Sequence, residues 1–421
     1  MVGKSSWDWA SGRRELADLA ALRAAYAEVL ELAPSPDGEK LASLVIDGEG
    51  RATAVVGGEP WPESYEKLWR LRFAADGRLA GLAMNDFAWT VVVDGAAWPE
   101  SFEFVWDHRF APAGDAVSAL VKQDNRYGVA VDGRPWSELY DMIRDYCVAP
   151  DGRCTAGTVQ VAPRKEADVE GFFAGTWSLA VDGARWPTTF VNVWEPVFAP
   201  DGGRVAAQVR TGIADYTIAV DGRPWERSFG CVWEPCFRPD GGAVVAPVRL
   251  DGSWTLAADG EPIWDARFVQ LWHQRFSRDG RRIAAIVATD FGRWTVAVDG
   301  RPWSRTFAEM VDGLTLSDDG ERIAVAVKDG GGWSVAVDGE VWDHDFDQVW
   351  QPIFTPDGEH VLAKAERDGV RQVYVDGHPL DRGFEEVWDP VLSPDGAMVL
   401  LRGIEGDRYV RRVVPLSEPA G

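Results

Sequence analysis

The chain has 421 residues, 46% hydrophobic and 26% charged, with 22 tryptophans and a formal charge of −24. That balance supplies a packed core and excludes a disordered chain. The charge opposes phosphate backbones and anionic membrane surfaces, which attract clustered Lys and Arg, and it favours basic protein partners. Most of the carboxylates are read as solvated surface.

Residues 1–10 lack the apolar core of a signal peptide, and no apolar run approaches the length of a membrane span. A cytoplasmic protein is expected. Cys147, Cys154, Cys231 and Cys236 are too few and too irregular for a disulfide framework, in keeping with a reducing compartment. Residues 13–30 read as a helix, with Leu16, Leu19, Arg23, Tyr26 and Leu30 at three-to-four spacing. Residues 1–30 are therefore taken as an N-terminal segment with a helix and 31–421 as the main domain.

From Asp37 onward two turn signals alternate. The first is Asp-Gly, usually after proline, as at Asp37-Gly38, Asp201-Gly202, Asp279-Gly280 and Asp357-Gly358, with Ala113-Gly114 as a degenerate member. The second is Val-Asp-Gly or a close variant, ending at Gly58, Gly95, Gly133, Gly183, Gly222, Gly260, Gly300, Gly339 and Gly377. Asp-Gly between alternating apolar residues marks tight hairpins, so each unit holds two. One unit illustrates the expected strands: 195–199, 204–209, 216–220 and 225–232. Four short antiparallel strands repeated at this period make a propeller blade. The expected fold is all-β: a β-propeller of about ten four-stranded antiparallel blades, with a short N-terminal helix. Two smaller propellers are the alternative. The last unit lacks an outer strand, and residues 5–10, with Trp7 and Trp9, are the segment expected to supply it.

The tryptophans fall in three columns. The first, seven residues before the Asp of the first turn, includes Trp69, Trp106, Trp194, Trp233, Trp272, Trp350 and Trp388. The second, five before the Asp of Val-Asp-Gly, includes Trp89, Trp177, Trp254, Trp294 and Trp333, with Tyr127 and Tyr216 as substitutes. The third follows that turn, as at Trp61, Trp136, Trp186 and Trp225, and an aromatic such as Tyr140 or Phe190 recurs four residues later. Repetition in every unit argues for inter-blade packing, since a catalytic residue is needed once.

The first column is placed in the connection between blades, on the same face as the loops joining strands two and three. Acids follow it at Trp106-Asp107, Trp194-Glu195, Trp233-Glu234 and Trp388-Asp389, with proline next in the last three. Aromatic anchors beside acids suit a basic partner. That face also carries the insertion between Cys154 and Trp177, with Phe172 and Phe173 near its end, and the variable loops 85–87 and 122–126. Trp106, Asp107, Trp194, Glu195, Trp233, Glu234, Trp388, Asp389, Phe172 and Phe173 are the candidate partner-binding residues.

No Cys-x-x-Cys, haem-attachment, phosphate-loop or Gly-x-Ser-x-Gly motif occurs, the five histidines are scattered, and the aspartates lack calcium-loop spacing. No catalytic, cofactor or metal residue is expected.

The Phe-x-Pro-Asp-Gly steps, as at Phe198 to Gly202 and Phe354 to Gly358, resemble blades of TolB-type and WD-repeat-like propellers. The repeated Trp-Glu-Pro and Trp-Thr-Val-Ala-Val-Asp-Gly blocks, as at Trp194 to Pro196 and Trp294 to Gly300, resemble the tryptophan-rich TmcD subunits of the Tmc transmembrane electron-transfer complexes of sulfate-reducing bacteria. That resemblance implies a cytoplasmic scaffold subunit without a redox centre, peripheral to the inner membrane through its partners. Its implied partners are a membrane cytochrome b, an iron-sulfur protein and a multihaem cytochrome. An independent module binding a protein, peptide or glycan is the alternative, and a propeller enzyme stands behind it.

Overall fold

The computed structural model describes residues 4–112, 116–162 and 168–416. The architecture is a β-propeller of ten four-stranded antiparallel blades. Numbered in chain order, blades 1 to 9 occupy residues 28–60, 67–97, 104–135, 143–185, 192–224, 231–262, 270–302, 310–341 and 348–379. Blade 10 combines 386–415 with 12–18. The chain divides into two compact units, one holding blades 8, 9, 10, 1 and 2 and the other blades 3 to 7.

In blade 5 the strands are Asn192–Phe198, Val205–Arg210, Tyr216–Val220 and Arg223–Pro224. The middle two fall close to expectation. The fourth lies before the expected 225–232, over which the chain keeps to its own blade only the backbone bond from Trp225 N to Ile218 O at 2.8 Å and the bridge of Tyr216 to Phe229. Val232 already belongs to the first strand of blade 6.

Strand two opens with five or more consecutive buried residues in blades 1 to 9. A central strand covered on both faces reads as a continuous apolar run. The buried clusters accordingly lie between neighbouring blades. One joins Trp177, Leu179 and Trp186 of blade 4 to Val193, Val205 and Ala207 of blade 5.

The Val-Asp-Gly turn connects strands three and four and fastens each blade to its predecessor. In blade 4, Asp182 Oδ1 accepts from Thr155 N at 2.8 Å and Thr155 Oγ1 at 3.1 Å, while Asp182 N donates to Thr155 O at 2.9 Å. Trp136 of blade 3 donates its Nε1 proton to Thr155 Oγ1 at 2.9 Å, and Tyr140 donates its hydroxyl to Gly183 O at 2.6 Å. Gly183 has φ +85°, and a Cβ there would lie 3.0 Å from Trp136 Cβ. The position is closed to other residues on both counts.

The helix expected over 13–30 forms only at Leu19–Ala25, where Asp18 Oδ1 caps Ala21 N at 3.0 Å. Gly12–Asp18 is instead the outer strand of blade 10, paired Gly12 to Val413 through Asp18 to Arg408, and residues 5–10 do not fill that place. An open edge at Arg408–Pro415 offers a row of backbone partners that outweighs extension of a short helix. Arg408 to Asp18 at 2.6 Å and Arg13 to Glu405 at 2.9 Å reinforce the pairing, and buried Leu19 packs with Leu41, Ile404 and Tyr409. Glu28–Pro34 is the first strand of blade 1. No helix among the described residues is long and apolar enough to cross a membrane.

Burial ranks the second-column tryptophans. Trp177 is 2% exposed, with the Arg144 guanidinium 3.8 Å above its ring, whereas Trp294 is half-buried against Trp272. Trp177→Ala is expected to cost about 3–5 kcal/mol in chemical denaturation, and Trp294→Ala distinctly less. Gly183→Ala combines strain with overlap, whereas Gly252, at φ +84°, has no atom within 4 Å of a Cβ. Gly183→Ala should therefore lower the melting temperature more than Gly252→Ala does.

The other hairpin depends on carboxylates. Asp279 Oδ1 accepts from Arg281 N at 3.0 Å and Ser277 Oγ at 2.7 Å, and Asp319 and Asp395 repeat the arrangement with Ser317 and Ser393. These bonds hold all three carboxyls below their usual range. A depressed folded-state value means stabilisation that is present above the unfolded value and lost as pH falls through the folded one. The melting temperature should hold steady down to about pH 5 and then drop. The drop should be shallower in the combined Asp279→Asn, Asp319→Asn and Asp395→Asn variant.

Candidate functional site

Blades 1 to 9 each have a turn end, where strand one passes to strand two and strand three to strand four, and every blade has a loop end, where strand two passes to strand three and the first strand begins. The first-column tryptophans lie near the loop end, within or between pieces of the first strand rather than in the connection before it. Trp69, Trp106, Trp194 and Trp272 sit inside continuous strands. In blades 6, 9 and 10 the strand is broken at Trp233, Trp350 and Trp388, each followed two residues later by a proline that removes a ladder donor.

The step after each tryptophan is a β-bulge. The register shifts between Trp106 and Arg109, Trp194 and Val197, and Trp272 and Arg275. The residue following each tryptophan, Asp107, Glu195 or His273, has φ near +50°. Such a bulge turns a backbone N–H out of its own ladder. A carboxylate of the preceding blade collects it: Asp145 Oδ2 accepts from Glu195 N at 3.0 Å, and Glu234 Oε1 from His273 N at 2.8 Å. Glu31 does the same for Arg70 N and Leu71 N, both at 2.9 Å. Sequence reading missed these staples because an extra residue in one strand leaves no periodic mark.

The candidate residues separate accordingly. Trp106 packs edge-on to Tyr127 at 6.1 Å, Trp194 stacks on Tyr216 at 6.5 Å, and Trp388 meets Tyr409 at 6.1 Å, all three half-buried. Trp233 stacks on Trp254 at 5.4 Å and remains 39% exposed. Asp107 pairs with Arg109 at 2.6 Å and Asp389 with Lys364 at 2.7 Å. Burial works against the Glu234 carboxylate, yet hydrogen bonds from His273 hold it below its usual range. The Glu195 carboxyl is raised by burial, then by the negative charges of Glu234 and Asp145. Glu195, Trp233 and Asp389 are thus the members presented outward, Asp389 while paired with Lys364.

The insertion ends in a short helix, Val169–Ala174, on which Phe173 is 46% exposed. Phe172 belongs to the same helix, and its side chain lies outside the described residues, as do residues 163–167. Other apolar groups share this end in blades 3 to 7: Phe104, Met142 and Val269 at first-strand starts, and Ile213 and Phe291 at loop tips. Phe291 is 94% exposed and Ile213 66% exposed. Sequence reading passed over these two tips, single apolar residues beside glycine at Asp290-Phe291-Gly292 and Gly212-Ile213. Among the described residues, all the exposed large hydrophobic residues but Ile263 lie at the loop ends of their blades.

Among the described residues, no group of three or more His, Cys, Asp or Glu is placed to hold a metal ion. The four cysteines are free thiols, and burial pushes Cys154 and Cys236 up to about 11 and Cys147 up to about 12. Such thiols are poor nucleophiles at neutral pH.

No family model and no curated protein matches the chain. Solved structures similar to it include one titled as a eukaryotic initiation factor, 9% identical, covering 81% of this chain and 96% of that one at a TM-score of 0.45. TolB from Acinetobacter baumannii is 15% identical over 59% of this chain and 61% of its own, with a TM-score of 0.29. A prolyl endopeptidase structure is 11% identical over 75% and 50%, with a TM-score of 0.38. At such scores none of them informs function, and the fold assignment stands on the blades themselves.

Proposed function

We propose that the protein is a non-catalytic scaffold that docks partner proteins on the loop end of blades 3 to 7. The observation that carries this reading is the gathering of exposed apolar side chains there, among them Phe173, Ile213, Trp233 and Phe291. Exposed apolar patches rimmed by polar groups mark protein interfaces. With a chain charge of −24, a partner with a basic surface around an apolar patch is the complementary one. The resemblance of the Trp-Glu-Pro and Val-Asp-Gly blocks to TmcD subunits extends the reading. The scaffold would then sit on the cytoplasmic side of a membrane electron-transfer complex, bringing no redox centre of its own to the cytochrome b, iron-sulfur and multihaem partners.

Purification from solubilised native membranes tests both levels. The combined Phe173→Ser, Ile213→Ser and Phe291→Ser variant should keep its melting temperature and lose about tenfold or more of its co-purifying partners. Arg153→Glu with Arg281→Glu, on exposed turn-end side chains, should retain them. Haem and iron-sulfur proteins among the captured partners would support the electron-transfer assignment. Capture at wild-type yield by the loop-end variant, with loss in the turn-end variant, would place docking on the other end.

A further inference from the structure

The unit of blades 8, 9, 10, 1 and 2 lines an open cavity of ≈ 910 Å³ at its turn end. None of its lining residues belongs to blades 3 to 7, so it does not depend on the reading given to their loop ends. The apolar wall comes from the ends of first strands, including Phe73, Leu316, Phe354 and Leu392. A further aromatic, Trp7, comes from outside the repeat. It is held in place: Trp7 stacks on Trp9 at 6.0 Å, Trp9 Nε1 donates to Lys4 O at 2.8 Å, and Arg411 donates to Asp8 O.

Two cations line the same space, Lys4 at the end of the N-terminal segment and Arg402 from strand two of blade 10. Neither makes an ion pair among the described residues, in a chain whose carboxylates outnumber its cations by 24. Arg402 Nη1 donates to Ser35 O at 3.1 Å and Nη2 to Asp389 O at 2.9 Å, both neutral carbonyls, and its buried Nε has no hydrogen-bond partner. Burial lowers the Arg402 guanidinium from its ordinary value, opposed by Tyr409 and by the negative charges of Asp389 and Asp37. The Lys4 ammonium is lowered by desolvation and then by the positive charge of Arg402. Two like charges lining one space, the exposed Lys4 and the half-buried Arg402, favour an anion that meets both. The carbonyl bonds of Arg402 explain why one cation bridges blade 10 to blade 1. They do not explain the second, since the Lys4 side chain holds no other part of the described structure. Asp318 also lines the space, so the negative end of a guest would be directed toward Lys4 and Arg402 and away from it.

We propose that this cavity binds a small organic anion with an apolar or aromatic body. Its volume lies within the range of pockets that take drug-sized ligands. Trp7 and the strand-end aromatics would cover the body while Lys4 and Arg402 receive the charged group.

Two fluorescent probes of similar shape and different charge test the proposal: 8-anilinonaphthalene-1-sulfonate, an anion, and N-phenyl-1-naphthylamine, its uncharged counterpart. The folded full-length chain should bind one anionic probe about tenfold or more tighter than the neutral one. Arg402→Met should weaken the anion by about tenfold and Lys4→Met by several-fold, each leaving the neutral probe within about twofold. Arg402 also bridges two blades, so circular dichroism must show its variant folded. If it is not, Lys4→Met decides alone. Equal affinity for the two probes, or wild-type affinity for the anion in every folded variant, would overturn the proposal.

Discussion

The hydrogen bond from the first amide of strand two to the aspartate of the Val-Asp-Gly turn is the contact on which the repeat depends. It recurs as Leu79 to Asp94, Val117 to Asp132, Val205 to Asp221, Ile283 to Asp299 and Val361 to Asp376, between 2.8 and 3.0 Å at Ile323 to Asp338 and the rest. The carboxylate spans three strands, so it fixes where strand two begins and where strand three must turn. It also offsets the left-handed conformation that the aspartate itself adopts, at φ +47° to +52° in blades 3, 4, 5 and 8. The glycine that follows then lies against the third-column tryptophan of the blade before, as Gly183 against Trp136 and Gly222 against Trp186. One dipeptide therefore sets both the register inside a blade and the spacing to its neighbour.

At the loop end a second device does related work. The first-strand bulge turns an amide toward the preceding blade, and Glu31, Asp145 and Glu234 receive it. This alters what the acids after the tryptophans mean. Asp107 and Asp389 are engaged with Arg109 and Lys364, and Glu234 holds the next blade in place. Their charge is partly committed to structure, and a partner docked at this end would draw more on desolvating aromatic and aliphatic tips than on free carboxylates. The half-buried state of Trp106, Trp194 and Trp388 agrees with packing as their first role.

What the sequence revealed follows the range of the chemistry involved. Asp-Gly turns act over four residues, so the hairpins, the blade count and strands such as Tyr216–Val220 were legible. The aromatic columns were legible because they repeat. The outer strand of blade 10 was not, since Gly12–Asp18 owes its conformation to Arg408–Pro415 at the other end of the chain. Its leucines satisfy a helical spacing equally well, and only the partner strand decides. The bulges escaped notice because the Trp-Glu-Pro step looks like the end of one element rather than an irregularity within it. Of the candidate site, the placement of the first-column tryptophans and of the insertion at the loop end was legible, whereas exposure at Ile213 and Phe291 is a tertiary property of single residues.

A repeat fold constrains where specificity can arise. Positions that serve every blade interface, such as Gly183 or Asp182, cannot vary without loosening the stack, so recognition has to use residues that occur once. At the loop end those are the insertion with Val169–Ala174 and tips such as Phe291, which lie outside the strand ladders and are free to differ between blades. The turn end is built almost wholly from repeated hairpins, and the same logic applies to it. Its cavity becomes distinctive only where the N-terminal segment adds Lys4 and Trp7 and where blade 10 contributes Arg402. Both candidate sites therefore lie where the repetition is interrupted, one by an inserted loop and the other by a chain terminus folded back onto the blades it closes.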